Sequence, residues 1–168
     1  MKKYMTALVL VVGLGLLAAS PAAVAESGSV FEKFKALAGE WEGQRSGGGS
    51  VKVSYQVLSG GSAVVETLTE LTEEVTMVTV YHMDGDDVRM THYCSAQNQP
   101  RMKASSVSPG ARVVSFEFVD ATNLAQPTDG HMQNLEITFK DRNHITQKWT
   151  WRENGRTTDN TFTLARVR

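Results

Sequence analysis

Four side chains of the kinds that carry chemistry fall in one part of the chain. The stretch THYCSAQNQPRM, residues 91 to 102, holds His92 and the single cysteine, Cys94. Asp120 and His131 follow within forty residues. His, Cys and Asp are the donor types that bind zinc. A cysteine beside a histidine is also the pair from which a thiolate nucleophile is made. The spacing weakens both readings. On one face of a strand, residues two apart lie roughly 7 Å from each other, too far for direct proton transfer from Cys94 to His92. A metal would need ligands from separate strands to converge with close geometry. The expectation is therefore a lining role for His92 and Cys94, with no metal and no catalytic residue. His131 is expected to pair with Asp120 across a connecting hairpin, since buried polar groups find such partners. Asp84-Gly85-Asp86-Asp87 lacks the length and spacing of a calcium loop and reads as a solvated turn.

The elements that must position these residues are strands. After Gly39 the chain has period two throughout, over 39–46, 50–58, 62–69, 75–83, 87–95, 101–107, 112–120, 131–140, 144–153 and 156–167. Turn chemistry separates them: Gly47-Gly48-Gly49, Gly60-Gly61, Asp84-Gly85, Ser108-Pro109-Gly110 and Asn154-Gly155. Before them, Ser29-Val30-Phe31-Glu32 forms a capping box. It opens a short helix that puts Phe31, Phe34 and Ala38 on one side and stops at Gly39. The predicted fold is all-β: an antiparallel up-and-down β-barrel of about ten strands with a short N-terminal capping helix. Closure removes the exposed edges that a ten-strand meander would otherwise carry.

In such a barrel, alternate connections lie at opposite ends. The connections at 59–61, 84–86, 108–111 and 141–143 share the helix end. Those at 47–49, 70–74, 96–100, 121–130 and 154–155 share the other, which collects both long, turn-poor segments. Binding loops usually occupy such segments.

Alternation then sorts side chains by face. Val51, Val53, Tyr55 and Val57 are expected inside, as are Val88, Met90, His92 and Cys94. So are Val114, Phe116, Phe118 and Asp120, and His131, Gln133, Leu135, Ile137 and Phe139. Ile145, Gln147, Trp149 and Trp151 point in from the ninth strand. If Val64 and Leu68 are inside, Glu66 is too, either as Arg101's partner or as a lone acid with a raised pKa. Gln97, Asn98 and Arg101 stand at the rim, either as solvated loop or as a polar gate for a carboxylate or carbonyl. An interior this polar calls for mutual pairing, water or a guest, because an unpartnered buried polar group costs about 1–3 kcal/mol. A barrel of this size can hold one small ligand. The expected binding residues are Tyr55, Glu66, His92, Cys94, Arg101, Asp120, His131, Gln147, Trp149 and Trp151.

Leu37-Ala38-Gly39-Glu40-Trp41-Glu42-Gly43, after a short helix, resembles the G-x-W-x-G signature of calycins, the superfamily of lipocalins and nitrobindin-like barrels. It is similar to bacterial exported members of that group with no assigned function. The resemblance implies a ten-strand barrel closed at one end by Trp41, with an arginine from the last strand, Arg166, covering the indole. It also implies a small amphipathic or hydrophobic guest in the lumen. The haem-binding nitrobindin-like proteins supply a histidine from the C-terminal part of the barrel. The stretch from Thr157 to Arg168 has none, so no cofactor is expected.

Residues 1 to 25 read as a cleaved signal peptide: Lys2 and Lys3, an apolar run from Ala7 to Ala19, and Ala23-Val24-Ala25. That run is far short of the ~20 residues that span a bilayer. The single domain is then residues 26–168, exported to the periplasm or secreted. The signal takes two of 17 basic residues and none of the 18 acidic ones, leaving a net charge of −3. Such a balance gives no footprint for nucleic acid. With Cys94 alone, no intrachain disulfide forms. The overall expectation is a monomeric, non-catalytic barrel that binds a small molecule. The alternatives are a hydrolase or isomerase using the polar cluster at the mouth, or a structural barrel filled by its own side chains.

Overall fold

The computed structural model describes residues 30–106 and 110–167. The signal segment, Ser29 of the capping box and most of the turn at 108–110 lie outside the described residues. Helix α1, over 30–35, leads into ten strands: β1 Gly39–Arg45, β2 Ser50–Leu58, β3 Ala63–Glu70, β4 Val75–Asp84, β5 Asp87–Tyr93, β6 Gln99–Ser106, β7 Val113–Thr122, β8 His131–Phe139, β9 His144–Glu153 and β10 Arg156–Arg166. Each strand pairs antiparallel with its sequence neighbour, and β1 pairs with β10 to close the barrel. The ten-strand up-and-down barrel expected from the alternation is what forms. Asn154 and Gly155 both take positive φ (48° and 74°), as a tight hairpin turn requires.

At the helix end, Val30, Phe31, Phe34 and Leu37 are buried, while Ala38 is exposed. Leu37 replaces Ala38 on the packed side because the chain leaves the helix before another turn is complete. Phe34 plugs the barrel, with ring centroids 4.6 Å from Tyr81 and 5.8 Å from Phe116. Trp41 is fully buried and donates its indole N–H to Leu37 O at 2.8 Å. Arg166 lies opposite Trp41 in the β1–β10 register, its guanidinium 4.4 Å from the ring centroid. It also donates to Ala38 O at 2.7 Å and Ala36 O at 2.8 Å. One residue thus covers the closing indole and satisfies the carbonyls at the end of the helix. Gly43 is required by close approach, since a β-carbon there would run into the backbone carbonyl of Thr163 on β10.

The mouth end departs from plain alternation. On β7, Asp120 pairs with Arg101 but Phe118 pairs with Met102, so Val119 is an extra residue. On β8, Met132 pairs with Trp151 but Asn134 with Thr150, so Gln133 is extra. Each is a β-bulge, which reverses the facing of every residue beyond it. The β7–β8 ladder runs from Val113 to Glu117 and goes no further toward the mouth. There the ring of His131 stacks on Phe118, centroids 4.6 Å apart.

Candidate functional site

The inward side chains of four adjacent strands fall in one layer. Tyr55 pairs with Glu66, Glu66 with Thr79, and Thr79 with His92. Glu66, Thr79, His92 and Gln147 are all buried. Glu66 Oε2 accepts from Tyr81 OH at 2.9 Å and from Gln147 Nε2 at 2.9 Å. Gln147 Nε2 also donates to Tyr55 OH at 2.6 Å, and Trp149 Nε1 donates to Gln147 Oε1 at 3.0 Å. His92 Nδ1 lies 2.9 Å from Thr79 Oγ1, and its ring sits 4.5 Å from that of Trp149. Nε2 on the opposite edge has no partner.

Burial sets the protonation of both titratable members. Loss of water raises the Glu66 carboxyl from its ordinary 4.5 to about 7, against the pull of the donors from Tyr55, Tyr81 and Gln147. Burial lowers His92 from 6.5 to about 4, so the imidazole is neutral at neutral pH.

A cavity of about 40 Å³ adjoins this network, lined by Glu66, Leu68, Glu70, Met77, His92, Met132, Trp149, Asn160 and Phe162. That is room for a few water-sized molecules, far below the ~300 Å³ at which drug-sized ligand pockets begin. At its rim Glu70 makes an ion pair with Arg45 at 3.0 Å, which also holds Glu73 at 2.9 Å. Burial raises Glu70 while Arg45 opposes the rise.

Tyr55, Glu66, His92, Gln147 and Trp149 therefore come together inside the barrel. Trp151 shares the inner face with Trp149 and lies at the mouth, half-buried, pressed so close to Gly130 that no β-carbon fits there. The other expected residues do not join them. Asp120 was expected inside, but its side chain is 49% exposed on the outer face, because the bulge at Val119 reverses its direction. It pairs with Arg101, whose Nη2 donates to Asp120 Oδ2 at 2.7 Å, so Arg101 neither gates the lumen nor partners Glu66. His131 does not pair with Asp120. The bulge at Gln133 turns it out of the lumen and beneath the loop at 123–130, where Nδ1 meets Asp129 O at 2.7 Å and Nε2 meets Gln133 Oε1 at 3.3 Å. Met132 takes the inward place instead. Cys94 lies just past the end of β5, half-buried against the core, and burial pushes its thiol up, away from the reactive thiolate. Val57, near the end of β2, is open to solvent.

The polar cluster imagined at the mouth is thus dispersed. Among the described residues no three His, Cys, Asp or Glu side chains are grouped to hold a metal ion. No helix among them is long and apolar enough to cross a membrane. Tyr81, Thr79, Arg45 and Glu70 went unassigned by sequence. Strand period alone would have placed Met77, Thr79 and Tyr81 on one face. Glu70 follows Glu66 and Leu68 on the same face.

The two long mouth connections meet. Asn98 Nδ2 donates to Gly130 O at 2.8 Å, and Asn123 Nδ2 to Gln97 O at 3.2 Å. Asn98, expected at the rim either as solvated loop or as part of a polar gate, is buried, and its Oδ1 has no partner.

No protein-family model matches the chain, and no curated protein sequence matches it.

Proposed function

We propose that this protein is a calycin-like, exported, monomeric barrel that binds a small molecule without transforming it. The observation that carries the reading is His92 Nε2, a buried ring nitrogen with no partner, on a residue that borders an internal cavity. Folding a chain around an unmet polar atom costs about 1–3 kcal/mol, and a guest that meets it recovers the loss. The cavity wall combines that polar end with Leu68, Met77, Met132, Trp149 and Phe162, a lining suited to an amphipathic guest. The small volume sets the scale: a guest of a few heavy atoms, or the head of a longer one whose tail leaves past Glu70 and Asn160. The calycin assignment is supported by the G-x-W-x-G stretch after a helix and by Arg166 over Trp41 in a closed ten-strand barrel. Export is supported by the leader pattern in residues 1 to 25.

The test is native mass spectrometry of the purified full chain, with extraction of any retained compound. A defined guest that is lost in Trp149→Ala supports the reading. The small cavity and the loops tied across the mouth favour a second reading, a barrel filled by its own side chains. An empty chain that takes up nothing from a crude metabolite extract, with Trp149 fluorescence unmoved, establishes that second reading.

A further inference from the structure

We propose that a groove on the closed, helix end of the barrel binds a free organic oxyanion, a carboxylate or phosphate on an apolar body, through Arg112 and Arg142. The site lies outside the lumen and does not rest on the binding reading above.

Helix α1, the approach to β7, the end of β8, the β8–β9 turn and the end of β10 meet around this groove. It measures about 680 Å³, within the ~300–1,000 Å³ of small-molecule pockets, against about 40 Å³ for the cavity in the lumen. Part of its wall is apolar: Leu37 is buried, Phe139 packs against the core, and Ala36 and Ala111 complete the lining.

The charge is one-sided. Over the whole chain 17 basic residues are matched by 18 acidic ones. This wall carries Lys33, Arg112, Arg142 and Arg166 against a single acid, Asp141. Asp141 is already engaged: its Oδ1 accepts from the Asn143 amide at 2.7 Å, and its Oδ2 lies 2.9 Å from His144 Nδ1. Two of the cations serve the fold. Lys33 donates to Ala111 O, and Arg166 holds the carbonyls of Ala36 and Ala38. Arg112 and Arg142 are exposed, and among the described residues neither guanidinium meets a carboxylate. Their backbones are nonetheless anchored, since Arg112 O accepts from Phe139 N at 2.7 Å and Arg142 O from Arg166 Nε at 3.2 Å.

The class of ligand follows. A guanidinium fork pairs with two oxygens of a carboxylate or phosphate at once. An inorganic ion would leave the apolar wall wet, and an uncharged body would leave both forks unused. A cation would meet four charges of its own sign. A concave groove of this volume encloses a small molecule, whereas a flat lipid surface would touch only its rim.

The test is amide NMR of the full chain titrated with naphthoate and, separately, naphthyl phosphate at neutral pH. Both are expected to shift Ala111 and Asn143 with saturating curves and to leave Thr79 and His92 in place; the tighter of the two identifies the preferred head group. Naphthol, uncharged at this pH, and inorganic phosphate, with no apolar body, are each expected to bind at least about tenfold more weakly, the scale of one charge-assisted hydrogen bond. Arg112→Gln combined with Arg142→Gln is expected to weaken naphthoate by at least about tenfold while the unfolding midpoint stays put, since both side chains are exposed. His92→Gln, in the lumen, is expected to change nothing at this groove. Equal binding of naphthol, or undiminished binding by the double variant, overturns the proposal. So does a response at Thr79 and His92 alone, which would place the ligand in the lumen. Sedimentation with phosphatidylglycerol vesicles by a chain that ignores both naphthyl anions would overturn it in favour of a lipid surface. Extraction of a guest from the lumen is scored separately, so either site can fail without the other.

Discussion

The two ends of this barrel solve the same problem in opposite ways. At the helix end the closing groups have partners: the Trp41 N–H goes to Leu37, the carbonyls just after the helix go to Arg166, and Phe34 fills the bore. At the mouth end the ladder between β7 and β8 stops short, two bulges reverse side chains, and Asn98 Oδ1 stays unpartnered above a lumen that holds a second such atom, His92 Nε2. The helix end is built for stability. The mouth gives some of that up, leaving buried polar atoms without partners.

The comparison can be broken most sharply at the closing indole. Trp41→Ala should cost about 3–5 kcal/mol in denaturant unfolding, as large-to-small changes of a buried aromatic do. Trp151→Ala at the half-buried mouth should cost clearly less. Equal losses would remove the distinction between the ends. Glu66→Lys should prevent cooperative folding, read by circular dichroism, because it places an unpaired cation beside Tyr55 and Tyr81. Arg166→Ala should cost about 2 kcal/mol by loss of the cation–π contact and the charged hydrogen bonds to the helix end.

A subtler test uses pH. Glu66, raised to about 7, binds its proton more tightly folded than unfolded, so its contribution to stability falls as pH rises from about 4.5 to about 7. His92, lowered to about 4, binds its proton less tightly folded, so its contribution rises as pH increases from about 4 to about 6.5. The two slopes oppose one another, and the wild-type chain should have a nearly flat stability profile across this window. Glu66→Gln should uncover a rising profile and His92→Gln a falling one, each of up to about 3 kcal/mol. A wild-type profile as steep as either variant's would mean that only one of the two groups is perturbed. The smallest effect belongs to Arg101→Ala on the outer face, an exposed ion pair whose loss should leave the unfolding midpoint and any guest retention unchanged.

The strands and their order were legible because alternation and turn residues are local signals. Asn154-Gly155 marks its turn with two residues that tolerate positive φ, and the inner-face positions Val53, Tyr55, Phe116, Leu135, Ile145 and Gln147 are all buried. The same rule misplaced Asp120 and His131. A bulge is one extra residue on one strand of a pair, and neither Val119 nor Gln133 has a local mark that distinguishes it from an ordinary strand residue. The count that reveals it is made against the partner strand. Ala38 failed for a related reason: helical period predicts a face, but not where the helix gives way to β1.

Residue order by itself determined a ten-strand closed barrel, the end that Trp41 shuts and the end where both long loops gather, because each depends on neighbours within a few positions. Which polar side chains meet inside was decided only when β3, β4, β5 and β9 came into register. Glu66, Thr79, His92 and Gln147 are spread over some eighty positions, and their bonds exist because closure brings separate strands to one layer. Hydrogen bonds between side chains demand a fit of a few tenths of an ångström, and a pattern of period two carries no information at that scale.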